Sequence, residues 1–299
     1  VATATDLDFT YSQIDRIFRL SIGEMADFSG ARYDGDFSLS LEEAQHRKHE
    51  FIAENLGITS GSRVLDLGCG WGPFLRFAES RGAHATGVTL SRGQAESCQR
   101  HGLDVHLRDC RTITRDSFGG FDAVVSLGAF EHFCSIDEYR QGRQEAIYSQ
   151  LFASVRELLP TGGRFYLQTM VFGPKMLPYE AIDLHAPRGS DAHVLGLMTA
   201  QFPGSWLPYG REQLERTFAP FFRLVSATSG RLDYIETIRQ WRQRFSEFSL
   251  PKFAVKLTLL PRYLLSRQFR NAFASGISAN SVCFERHLFD HYRMVLEAV

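Results

Sequence analysis

The chain has 299 residues, which fits one large domain or a core domain carrying a cap. Its formal charge of -1 gives no general attraction to nucleic acid or to an anionic membrane, so any such contact must be local. The cysteines Cys69, Cys98, Cys110, Cys134 and Cys283 are scattered and include no Cys-x-x-Cys pair, which argues against a disulfide framework or a metal site and for a reducing, cytoplasmic setting.

The first residues, Val-Ala-Thr-Ala-Thr-Asp, lack the basic start and apolar core of a signal peptide. No apolar run approaches the roughly 18 residues of a membrane span. Residues 1–39 are aromatic-rich and are expected to form a helical cap. Ser40 and Glu43 stand at capping-box spacing, and Ala44, Phe51, Ile52 and Leu56 give the helix that follows an apolar face. Gly57 and Gly61 break the chain. Residues 63–67 then read as a short buried strand entering a glycine loop, with a helix over 73–80.

The alternation repeats: strand 85–89, helix 91–100, strands 105–107 and 121–127, an amphipathic helix over 143–159, and strand 164–170. Strands alternating with helices imply a doubly wound, mostly parallel α/β sheet with helices on both faces, its core spanning 40–170. Residues 171–210 break the rhythm with Pro174, Pro178, Pro187, Pro203 and Pro208, as a substrate lid would. The core resumes over 211–247, with a helix at 211–218 and a strand at 222–227.

From Phe248 to Phe284 there are 37 residues without Asp or Glu, carrying Lys252, Lys256, Arg262, Arg267 and Arg270 among apolar side chains. Such a segment is expected to be a lid helix, or a surface that makes transient contact with anionic head groups or an acidic carrier protein.

The loop from Val64 to Gly72 reads Val-Leu-Asp-Leu-Gly-Cys-Gly-Trp-Gly. Asp66, Gly68, Gly70 and Gly72 alternate after a buried strand. Glycine lets the backbone turn sharply and approach a ligand, and the next helix aims its N-terminus at that ligand. A dinucleotide loop would read Gly-x-Gly-x-x-Gly with a carboxylate ending the second strand. Here Pro73 stands in place of the third glycine, and the second strand ends Gly87-Val88-Thr89-Leu90. Both departures favour S-adenosylmethionine (AdoMet) over a dinucleotide.

Four segments carry a wider resemblance: the glycine loop; Thr89-Leu90-Ser91-Arg92-Gly93-Gln94; Val125-Ser126-Leu127-Gly128-Ala129-Phe130-Glu131-His132-Phe133; and Tyr234 to Trp241. Together the chain resembles the cyclopropane fatty acid synthases, especially their mycolic acid cyclopropane synthase and methyltransferase branch. The likeness covers roughly residues 10–245, and 284–299 further resembles a late helix of the family, so a C-terminal helix is expected there. It implies a Rossmann-like class I AdoMet methyltransferase with a helical lid. It also implies transfer of a methyl to an alkene carbon of a lipid or other apolar substrate, with or without ring closure.

By position the resemblance assigns AdoMet to Phe28, Ser29, Asp66, Gly68, Gly70, Gly72, Thr89, Leu90, Gln94, Cys110, Arg111 and Leu127. Gln94 takes the ribose role that a carboxylate plays elsewhere. Family members hold a bicarbonate base with Glu, His and Tyr side chains and backbone N–H groups beside a Cys. Glu131 matches the Glu and Tyr234 the Tyr, with His132 adjacent. The His is Gln168 here and the Cys is Gly30. Tyr11, Gly30, Tyr33 and Tyr209 are the expected substrate contacts. Two alternatives stand beside this reading: a C-, N- or O-methyltransferase of a small molecule such as an isoprenoid or polyketide, and an AdoMet-binding protein without turnover.

Overall fold

The computed structural model describes residues 21–22, 26–202, 204–265 and 279–299. Its sheet is built from short strands, the central ones apolar and buried on both faces and the outermost parallel one largely exposed. These are β1 (Arg63–Leu67), β2 (His84–Thr89), β3 (Asp104–Leu107), β4 (Ala123–Leu127) and β5 (Arg164–Phe172), joined in parallel. With β6 (Phe222–Ser229) and β7 (Phe289–Ala298) the order is β3-β2-β1-β4-β5-β7-β6. The chain runs outward from β1 to β3, then returns to place β4 on the other side of β1. The carboxyl ends of β1 and β4 therefore flank a crevice, which is where open α/β sheets bind ligands.

The helices form where the sequence supplies caps. Helix α1 (Leu41–Leu56) starts at the Ser40 capping box: Glu43 N donates to Ser40 Oγ at 3.3 Å and Ser40 N to Glu43 Oε2 at 2.8 Å. It stops at Gly57, which is left-handed at φ 66°. Helix α2 (Pro73–Ser80) opens with proline, whose missing N–H costs nothing there. Helix α3 (Arg92–Arg100) is capped by Ser91, and α4 (Gln144–Leu158) buries Tyr148, Leu151, Phe152 and Val155 against the sheet. Helix α5 (Asp191–Gln201) lies in the 171–210 insertion, α6 (Gly210–Phe218) returns to the sheet, and α7 (Arg231–Ser246) and α8 (Leu250–Leu265) follow β6. No helix among the described residues is long and apolar enough to cross a membrane.

Two sequence expectations are corrected. The end of the chain is not a final helix. Residues 279–285 are helical, His287 turns the chain at φ 61°, and β7 then runs antiparallel between β5 and β6. Its period of two was hidden because His291 and Arg293 occupy inward positions where apolar residues are the norm. The described part of the N-terminal cap, residues 26–39, is loop and turn rather than helix. Positive φ at Ala26, Asp34 and Gly35 prevents helix there. The loop is fixed instead by Arg32 N donating to Ala44 O at 3.1 Å and Ala31 N to Thr237 Oγ1 at 3.0 Å.

A two-chambered candidate active site

The first chamber lies at the carboxyl ends of β1, β2 and β4. Gly68 and Cys69 both donate their N–H groups to Val88 O at 3.0 Å, so the loop folds back over β2. Gly68 has φ 86°, and a Cβ there would sit 2.2 Å from Ala129 Cβ. The glycine is thus required by backbone conformation and by close approach of the β4 loop. Gly72 plays a different part from the one expected: it is the left-handed cap of α2, packed near Leu103, and does not line the chamber.

Asp66, Gly68, Gly70, Thr89, Leu90, Gln94, Cys110, Leu127, Phe28 and Ser29 all line this chamber. Asp66 is buried, and its Oδ1 has no hydrogen-bond partner. Burial, then the nearby Asp27, pushes its carboxyl up to about 8. Thr89 Oγ1 donates to Gln94 Oε1 at 2.9 Å, which leaves the amide N–H groups as the end of Gln94 offered to a ligand. Arg111 is not on the wall. Its guanidinium turns outward onto Asp109, Nη2 to Oδ2 at 2.6 Å, while Asp109 and Cys110 line the chamber.

Beneath Ser29 lies a buried group that sequence reading missed. Lys48 Nζ donates to Asp27 Oδ2 at 2.6 Å and to Ser29 Oγ at 2.7 Å, and His49 Nε2 sits 2.9 Å from Asp27 Oδ2. Burial would raise the Asp27 carboxyl, but Lys48 and His49 outweigh it and hold the group below the usual carboxylate range. These partners stand about twenty positions apart, and no local spacing signals the pairing.

The second chamber shares Phe28, Ser29, Gly128 and His132 with the first, so the two meet at one wall. Its far wall is apolar, with Phe172, Leu195, Met198, Trp206 and Phe289. Its polar end gathers Glu131, Gln168, Tyr234, Gly30 and His291. Gly128 N donates to Gln168 O at 2.9 Å and clamps the β4 loop to β5. The tight turn that follows presents Glu131, 3% exposed, whose Oε1 accepts from Met170 N at 2.7 Å. Glu131 Oε2 is buried with no hydrogen-bond partner. Burial pushes the carboxyl up to about 7 against the pull of the Met170 N–H. His132 Nδ1 lies 2.8 Å from Ser205 Oγ, and burial brings its imidazole down to about 4.

Gln168 Nε2 donates to Gly30 O at 2.9 Å, and its Oε1 accepts from Tyr166 at 3.3 Å. The Tyr234 ring fills the space beside Gly30: a Cβ there would be 2.3 Å from Tyr234 Cδ2. The expected contacts Tyr33 and Tyr209 line neither chamber. Tyr33 is fully buried beside Phe37, and Tyr209 packs behind the wall against Phe172 and Tyr139. Tyr11 lies outside the described residues. Sequence reading missed His291, Trp206 and Phe289, because the chamber is closed by segments far apart in the chain.

A Rossmann-like sheet with a glycine-loop chamber opening beside an apolar one is the architecture of an AdoMet-dependent methyltransferase. The sequence profile of the mycolic acid cyclopropane synthetase family matches residues 2–258, and the chain belongs to that family. Cyclopropane mycolic acid synthase 3 of Mycobacterium tuberculosis is 29% identical over 236 residues, covering 77% of this chain and 78% of the relative. Hydroxymycolate synthase MmaA4 of the same species is 29% identical over 247 residues, 79% of this chain and 76% of the relative. Among solved structures, the cyclopropane synthase MmaA2 from M. tuberculosis has a TM-score of 0.77 at 23% identity, covering 99% of this chain and 98% of that one. The mycolic acid cyclopropane synthase CmaA1 complexed with SAH and CTAB has a TM-score of 0.76 at 24% identity, covering 98% of each chain. These two likenesses show the fold.

Proposed function

We propose that the chain transfers a methyl group from AdoMet to an alkene carbon of an unsaturated lipid or similarly apolar substrate. The single observation that carries this is Glu131: a buried carboxylate with an unpartnered oxygen at the polar end of a chamber whose far wall is apolar, adjoining the glycine-loop chamber.

The residues of the first chamber fit AdoMet. The orphaned Asp66 carboxyl suits a cationic amine or hydroxyl donors, the amide of Gln94 suits a ribose, and the glycine loop leaves room for close approach. When bound, AdoMet supplies an electrophilic methyl on a sulfonium. The protein's part is to exclude water and to stabilise the positive charge that grows on the acceptor carbon. An ionised Glu131 does this by Coulomb attraction in a low-dielectric site, and the Tyr234 ring face adds to it. Gln168 acts as a positioning residue, holding the Gly30 loop against β5. The neutral His132 ties the shared wall to Ser205.

The family resemblance also brings bicarbonate into question. Here one N–H of the Gln168 amide is taken by Gly30 O, and the Tyr234 ring occupies the space beside residue 30. Both observations leave fewer donors and less room for an anion there.

We also propose that α8 makes a transient contact with an anionic lipid surface. Phe253, Leu257, Leu260 and Leu264 are 46–65% exposed on it, in a stretch without acidic residues. Lys252 is turned inward and caps the end of α7, so it takes no part. The protein is expected to co-sediment with vesicles containing phosphatidylglycerol more than with phosphatidylcholine vesicles; equal recovery would remove this contact. The methyl acceptor is tested by incubating the protein with labelled AdoMet and either a lipid extract or a pool of polar metabolites. Label is expected in the lipid fraction. Label confined to the polar pool would overturn the lipid reading.

A further inference from the structure

We propose that His291 is the proton acceptor of the second chamber, an inference that rests on the methyl-transfer reading above. Strand β7 pairs His291 with Met170 of β5, and Met170 is the residue whose N–H holds Glu131 Oε1 at 2.7 Å. Register therefore brings the imidazole and the carboxylate to the same end of the sheet. His291 is only 2% exposed, yet it is among the residues that line the chamber.

Its surroundings hold the ring still without occupying Nδ1. The Tyr234 ring lies 4.9 Å away at 37°, and Gly230 backs it so closely that a Cβ there would be 2.5 Å from Nδ1. Nδ1 is buried with no hydrogen-bond partner. A structural histidine normally has both nitrogens satisfied, and this one does not. Burial, then the charges of Arg293 and Lys48, keep the imidazole well below its usual titration range, so it is neutral and able to take a proton. Arg293 itself is committed to Asp233 Oδ2 at 2.8 Å and Ala31 O at 2.6 Å.

The other candidates in the chamber are less suited. His132 has Nδ1 engaged with Ser205. Glu131 serves best while it stays ionised beside the growing charge, because taking the proton would cancel that charge. A proton next to a carbocation is strongly acidic, so a weak base is sufficient provided that it is unprotonated and held in place.

The step balances without an oxidant or reductant. Once the alkene pair has bonded to the methyl carbon, the neighbouring carbon is left electron-deficient. The imidazole lone pair takes one proton. If that proton comes from the new methyl, the C–H pair closes a three-membered ring; if from an adjacent chain carbon, it forms a new double bond. The imidazolium then gives its proton to water.

The test uses the full chain with AdoMet and vesicles of dioleoyl phosphatidylglycerol, comparing wild type with His291→Gln and His291→Ala. We expect S-adenosylhomocysteine affinity within about two-fold of wild type and formation of the deprotonated product about 100-fold slower. A methylated alcohol, from water trapping the cation, should appear in both variants. Added imidazole should partly restore His291→Ala. A merely structural role would slow all products together and give neither the alcohol nor the rescue, and that result overturns the proposal. Wild-type rates and products in both variants overturn it too. If wild type itself transfers no methyl to the alkene, the methyl-transfer reading falls, and this proposal with it.

Discussion

Glu131→Gln is expected to reduce methyl transfer by about 10²–10⁴-fold while leaving S-adenosylhomocysteine affinity within a few-fold of wild type. The substitution keeps the shape, and the amide oxygen can still accept from Met170 N, so the loop should hold its place. What disappears is a negative charge in a site with little water to screen it. The same residue sets a pH dependence. Its carboxyl is raised to about 7, so it is largely protonated at pH 6 and ionised at pH 8. Activity should therefore rise with pH through about 7 and then level.

Stability should run the other way. A carboxylate whose folded-state value is raised contributes stability that is present below its unfolded value of 4.5 and is lost as pH rises through about 7. Glu131→Gln lacks this loss and should be at least as stable as wild type at pH 8. Steady-state rates from pH 6 to 8 and thermal unfolding at both ends check the pair. A flat rate profile, or an active Glu131→Gln, would remove Glu131 from its role.

Gly68→Ala should weaken S-adenosylhomocysteine binding by more than ten-fold and lower the melting temperature by several degrees. Two costs add. At φ 86° an L side chain is strained by about 1–2 kcal/mol. The new Cβ would also meet Ala129 Cβ at 2.2 Å, an atom fixed to the backbone, so the β4 loop must move away from the glycine loop. Gly61→Ala is the control: its φ is 84° but nothing lies within 4 Å, so it carries the strain without the collision. Calorimetric titration of both variants separates the effects. If Gly68→Ala binds as Gly61→Ala does, the close approach of the two loops is not what shapes the chamber.

The features that could be read from the sequence are those set by near neighbours in the chain. The Ser40–Glu43 box, the glycine loop and the apolar runs of β1 and β4 all announce themselves within a few residues. The parallel order follows from strands alternating with helices. Strand β7 did not announce itself, because buried His291 and Arg293 break its apolar pattern, and each is tolerated only through what the fold packs around it. The Asp27–Lys48–His49 group is likewise a product of tertiary burial: Lys48 looks like a solvated face of α1 until the 26–39 loop covers it.

Gly30 shows the same limit at the site. By sequence it is a missing side chain; in the fold it makes room for the Tyr234 ring, which in turn packs on His291. Tyr33 and Tyr209 show the converse: they have the right chemistry for a pocket, but one is buried behind a turn and the other backs the wall.

Delivery of the methyl to carbon is what separates the alkene acceptor from an oxygen or nitrogen acceptor. The most direct measurement uses AdoMet carrying a ¹³C methyl, an unsaturated lipid acceptor and carbon NMR of the purified product. Signal from a cyclopropane methylene, a methyl branch or a methylene on carbon is expected; signal from an O-methyl or N-methyl group would overturn methyl transfer to carbon.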